Sequence, residues 1–179
     1  MTTVRFSFSM ILAGGALLAA CLTSLSPAAD VVPLSGRAPD IISDTWLNAS
    51  PTTMAELHGK VVLVEFWTFE CWNCHNVEPY IKQWHSRFRD AGLEVISVHA
   101  PEFDRERDPA NVRAYVDKAG ISYAVAIDND FANWKHYRNR FWPTLYLIDK
   151  HGMVRYSKIG EGDYAGTEQK IRALLQEAG

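Results

Sequence analysis

The sequence predicts an α/β domain built on a mixed sheet flanked by helices, and three observations lead there. A nearly continuous apolar run, Val61 to Trp67, reads as a central strand buried on both faces. Strand-like and helix-like periods then alternate, which implies parallel strands joined by crossover helices. Two further strand-like runs flank a turn at Asp149 to Gly152 and add an antiparallel hairpin.

Each element has its own warrant. After the first strand, Val77, Tyr80, Ile81, Trp84 and Phe88 recur at helical spacing, and Gly92 closes that segment. Pro79 falls inside this helix, where it removes one backbone hydrogen bond and is expected to bend the axis. Leu93 to His99 reads as a second strand. Asp108-Pro109 starts a helix whose face carries Val112, Tyr115, Val116 and Ala119, and Gly120 ends it. Tyr123 to Ile127 is a short strand. Asp130 is expected to cap a helical segment bearing Phe131 and Trp134 and running to Arg140. Thr144 to Ile148 and Met153 to Ile159 form the hairpin. Ile171, Leu174, Leu175 and Ala178 mark a last helix.

Bulk properties narrow the class without choosing a function. The chain has 179 residues, 47% hydrophobic and 22% charged, which suits one packed domain plus a targeting segment. Its formal charge is −3, and no basic cluster offers a phosphate-tracking surface, so nucleic acid is not an expected partner. No sequence feature demands more than a monomer.

The N-terminus reads as an export signal. Arg5 precedes the apolar run from Met10 to Leu22, which is too short and too rich in Gly and Ala for a membrane span but suits a secretory h-region. Leu18-Ala19-Ala20-Cys21 resembles the lipobox of bacterial lipoproteins, in which the cysteine becomes the lipidated first residue. Ordinary cleavage near Ala28 or Ala29 is the alternative. The expected organisation is a signal over 1–29, a spacer over 30–36 and one domain over 37–179, placed in the bacterial periplasm or cell envelope.

The chain has three cysteines, and either fate of Cys21 leaves Cys71 and Cys74 as a C-x-x-C pair. A bridge between them closes a very small loop and adds little chain-entropy stabilisation, so its use is chemical rather than structural. Cys71 ends a loop after a buried strand and opens a helix, where free amides and the helix dipole favour a thiolate. Cys74, one turn later, can reach the same sulfur. The pair therefore suits attack by Cys71 on a disulfide, followed by resolution through Cys74.

Gly59 to Trp67, Cys71-Trp72-Asn73-Cys74, Pro79 and Trp142-Pro143-Thr144 together resemble the thioredoxin superfamily. Ala38-Pro39-Asp40 and the extra strand–helix insertion between Leu93 and Asp128 resemble its exported TlpA and ResA type. Tyr137 to Pro143, with Gly160 to Tyr164, is similar to the C-terminal redox domains of DipZ-type proteins. The resemblance implies a thioredoxin-like three-layer sandwich and a thiol–disulfide oxidoreductase without a cofactor beyond its own Cys71–Cys74 disulfide. It implies that Glu65 relays a proton to or from Cys74, as a carboxyl in a buried strand with a raised pKa can. It implies that Pro143 is cis and, lacking an N–H, leaves the backbone of Trp142 open to a substrate strand. Trp72, Asn73, Trp142 and Thr144 are expected to contact substrate. Partners implied are protein thiols and disulfides, with a membrane electron donor of the DsbD or CcdA kind if the enzyme works as a reductase. Relatives act in cytochrome c maturation, disulfide repair and oxidative folding, and Trp72-Asn73 between the cysteines leaves the direction of electron flow open.

Two other readings compete. Thr68, three residues before Cys71, echoes the T-x-x-C of redoxin-type thiol peroxidases, although Val64 stands where that motif has Pro. Cys71, Cys74 and His75 could also hold a soft metal such as copper in a carrier. Glu102 to Asp108 reads as a solvated charged loop, although inserted loops can contact partners.

Overall fold

A computed structural model describes residues 34–179, together with Met1. The expected export signal and Cys21 lie outside the described residues. In chain order the elements are the two-residue strands β1 (Gly36–Arg37) and β2 (Trp46–Leu47), then β3 (Val61–Trp67), α1 (Trp72–Phe88) and β4 (Leu93–His99). They continue with α2 (Pro109–Ala119), β5 (Ala124–Ile127), α3 (Ala132–His136), β6 (Thr144–Ile148), β7 (Met153–Ile159) and α4 (Tyr164–Gln176). Among the described residues, no helix is long and apolar enough to cross a membrane.

All seven strands share one sheet in the order β1-β7-β6-β3-β4-β5-β2. The Val-rich β3 is buried along its whole length, parallel to β4 and antiparallel to β6. Alternation along β3 divides the core. Val61, Leu63 and Trp67 face a cluster with Cys74, Val77, Ile81 and Trp84 of α1, Val112 and Val116 of α2, and Ile171 and Leu174 of α4. Val62, Val64 and Phe66 face the other way, onto Ala38, Ile41, Leu57 and Tyr137. This second face is covered largely by the irregular segment before β3 and by the single short helix α3.

Several expectations need correction. Gly36, assigned to the spacer, pairs with Val154 as part of β1. The third helical segment stops at His136 rather than Arg140, and Arg138 has a positive φ of 53°. Its start is held mainly by Asp128, not Asp130. Phe131 adopts a left-handed conformation there, and the buried Asp128 carboxylate accepts from the amides of Asn133 (3.0 Å) and Trp134 (2.8 Å). Among the described residues the Asp130 carboxylate accepts only from the Ala132 amide, at 3.1 Å. The last helix ends at Gln176, leaving Ala178 exposed. By contrast Asp108 caps α2 and Gly120 ends it in the left-handed region, as expected. Asp128→Ala is expected to leave two helix-start amides without their acceptor and to cost about 2 kcal/mol, read as a lower denaturant midpoint. Asp130→Ala is expected to cost clearly less.

Candidate active site

Cys71 stands as the N-cap of α1, in extended conformation, with its Sγ accepting from the Cys74 amide at 3.2 Å. Its carbonyl takes the amides of Cys74 and His75. The first turn of α1 carries no acidic residue, so the amides and the helix dipole act on the Cys71 sulfur without a competing carboxylate from the helix. The two cysteines form a disulfide with Cα atoms 5.2 Å apart. They are not equivalent: Cys74 is 2% exposed and packed in the core, whereas Cys71 is only half-buried. Glu70, whose charge beside Cys71 would oppose a thiolate, is paired with Arg105.

Glu65 lies on the same face of β3 as Leu63 and Trp67, the face that α1 covers. It is 3% exposed, and its Oε2 accepts from Ser97 Oγ at 2.8 Å across the parallel β3–β4 pair. Burial pushes its carboxyl up to about 8 against the pull of the Ser97 hydrogen bond, and the Glu78 charge adds a smaller push upward. Glu78 comes from α1, one turn beyond Cys74. Its carboxylate accepts from Tyr115 Oη and Lys82 Nζ, each at 2.7 Å. No local sequence signal marks Glu78, Tyr115 and Lys82 as part of the site.

Around the sulfurs lies a groove of about 410 Å³ lined by Glu70, Cys71, Trp72, Asn73, Glu102, Phe103, Arg140, Phe141 and Trp142. Trp72 is largely exposed and Asn73 exposed. The Trp142–Pro143 peptide is cis. The Trp142 ring packs 4.3 Å from that of Trp134, and its Nε1 donates to the Ala100 carbonyl at 3.0 Å. Among the described residues neither the backbone N–H nor the carbonyl of Trp142 has a hydrogen-bond partner. Thr144 departs from expectation. It is 1% exposed, donates to the Phe141 carbonyl at 2.8 Å, and so supports the loop from beneath instead of facing a substrate.

The residues behind the competing readings are otherwise engaged. The Thr68 hydroxyl is buried and hydrogen-bonded to Nε2 of the buried His99 at 3.2 Å. His75 Nε2 lies 2.7 Å from the Phe69 carbonyl, and its ring stacks on Tyr115. Among the described residues no group of three or more His, Cys, Asp or Glu side chains is placed to hold a metal ion. The loop from Glu102 to Asp108 corrects the sequence reading: Glu106 within it is fully buried. Its carboxylate accepts from Phe103 three residues earlier, half of a capping box. No capping-box signature marks it in the sequence, because the residue at the cap is Phe103, whose side chain offers no acceptor.

Residues 35–157 match the AhpC/TSA family. The chain belongs to that family. It is 45% identical over 161 residues to Protein DipZ of Mycobacterium tuberculosis, covering 88% of this chain and 23% of DipZ. It therefore spans under a quarter of DipZ. It is 26% identical over 132 residues to the thiol–disulfide oxidoreductase YkuV of Bacillus subtilis, covering 74% of this chain and 88% of YkuV. The crystal structure of a thioredoxin-like superfamily protein superposes with a TM-score of 0.76 at 25% identity, over 81% of this chain and 99% of that one. The fold of this AhpC/TSA member is thioredoxin-like, as the sequence resemblance implied.

Proposed function

We propose that this chain is a thiol–disulfide oxidoreductase whose Cys71–Cys74 pair exchanges with protein disulfides, working in the reducing direction. The observation that carries the reading is a half-exposed Cys71 at a helix N-cap, bridged to a buried Cys74, with a buried carboxyl on the same sheet face. The reaction starts from the dithiol. The Cys71 thiolate attacks one sulfur of the client disulfide, and the other client sulfur leaves as a thiolate. Cys74 gives its proton to Glu65 and attacks the Cys71 sulfur. The second client thiolate then departs, and the Cys71–Cys74 disulfide remains. Two electrons have passed to the client, and an electron donor must return them. The partner proposed for that step is a membrane donor of the DsbD or CcdA kind.

The same proposal places the protein outside the cytoplasm as a monomer, held near such a donor by a lipid on Cys21, with envelope proteins as clients, those of cytochrome c maturation among them. The first measurement is the reduction potential of the pair in a thiol or dithiol buffer. A value near or below about −270 mV supports a reductase, whereas a value near about −120 mV overturns the direction and makes the protein an oxidant. Peroxide turnover faster than disulfide reduction by the purified domain would replace the proposal with a peroxidase.

A further inference from the structure

The insertion between β4 and α2 is tied twice to the loop that carries Cys71. Glu106 Oε1 accepts from the Glu70 amide at 2.9 Å, while Oε2 accepts from the amides of Glu102 (2.7 Å) and Phe103 (2.8 Å). Arg105 pairs with the Glu70 side chain. Both the main chain and the side chain of the residue before Cys71 are therefore held by the insertion. A carboxylate with no exposure is tolerated only when its oxygens are satisfied, and three amides from two loops satisfy this one.

At the surface, the segment so locked contributes Phe103 to the groove beside the sulfurs. Trp72, Phe103 and Phe141 are 76%, 51% and 47% exposed, a concentration of large apolar side chains that a soluble surface carries where it meets a partner. The free main-chain groups of Trp142 offer pairing to an extended chain in the same groove.

We propose that Glu106 is a positioning residue that locks the inserted segment to the Cys71 loop, so that Phe103 completes an aromatic groove for extended polypeptides carrying a bulky apolar side chain beside their cysteine. This rests on disulfide exchange at Cys71, and it adds the device that selects clients there.

The test compares kcat/KM of the full chain on two peptide disulfides that differ only in a Phe or a Gly beside the cysteine. The wild type is expected to prefer the Phe peptide by about tenfold, and Phe103→Ala and Glu106→Gln are each expected to remove most of that preference. Variants that slow both peptides in equal proportion would show a merely structural role and overturn the proposal. So would a wild type that exchanges both peptides equally. A wild type that exchanges neither peptide nor any small disulfide would instead sink the proposed activity itself. Hydrogen exchange of the wild type decides the latch even if Glu106→Gln does not fold. The Glu70, Glu102 and Phe103 amides are expected to be protected although they lie in loops, and rapid exchange at all three would refute the lock.

Discussion

Cys71→Ser is expected to reduce disulfide exchange to the uncatalysed background, while Cys74→Ser leaves the first attack intact and accumulates mixed disulfides with clients. The asymmetry follows from placement. Cys71 is half-buried at the end of α1 where the amides of the first turn converge, so its sulfur is both reachable and able to carry charge. Cys74 is 2% exposed and belongs to the core cluster beneath α1, and a client disulfide cannot reach it without opening the core. In the proposed mechanism its role is confined to attack on the Cys71 sulfur of the mixed disulfide, which expels the client thiolate. Neither change should unfold the domain, because a bridge between residues three apart contributes only about 2 kcal/mol by chain entropy. Non-reducing gels of cells expressing each variant provide the measurement. Equal recovery of the same covalent partners from both would exchange or abolish the assigned roles.

What the sequence made legible, and what it did not, divides along the range of the interactions. β3 announces itself because burial on both faces demands a nearly continuous apolar run, and the Cys71–Cys74 pair because its spacing equals one helical turn. The caps Asp108 and Gly120 act on amides within a few residues and are equally plain. β1 and β2 escaped because two-residue strands exist only through their partners β7 and β5, far away in the chain. Asp130, not Asp128, stands at the cap position in the sequence because the left-handed Phe131, which turns the chain so that the earlier carboxylate reaches the helix start, has no local signature. Glu106 was hidden for the same reason. A run of Glu, Asp and Arg reads as solvated, and only the fold brings the Glu70 amide, 36 residues away, to take the place of water. Thr144 looked like part of the substrate edge because it adjoins Pro143, yet the β6 pleat turns its side chain inward.

Glu65→Gln is expected to change both the pH dependence of stability and that of the reaction, and the two effects have one cause. In the disulfide form neither cysteine titrates, and two buried groups on the α1-covered face dominate the argument. The Glu65 carboxyl rises from 4.5 to about 8, and the His99 imidazole falls from 6.5 to about 4, each chiefly through burial. Above pH 4.5 the unfolded chain releases the Glu65 proton while the folded chain retains it, so stability falls with rising pH until about pH 8. Below pH 6.5 the unfolded chain takes up the His99 proton while the folded chain does not, so stability falls with falling pH. Between 4.5 and 6.5 the two slopes oppose one another. Above 6.5 only that of Glu65 remains, at about 1.4 kcal/mol per pH unit, a loss of about 2 kcal/mol by pH 8. Glu65→Gln keeps an acceptor for Ser97 but cannot ionise. Its stability is therefore expected to rise from pH 4 to 6.5 and then stay level, and a decline like that of the wild type would show that the titrating group lies elsewhere. In the proposed mechanism the same carboxyl accepts the Cys74 proton in the resolving step, where only its ionised fraction is active. The wild-type resolution rate is accordingly expected to climb as pH approaches 8, and Glu65→Gln to lose that climb and to slow resolution near neutrality by about 10²-fold. Stopped-flow mixing of the preformed mixed disulfide reads this step apart from the first attack, and equal resolution rates for the two proteins at pH 7 would remove Glu65 from the proton path.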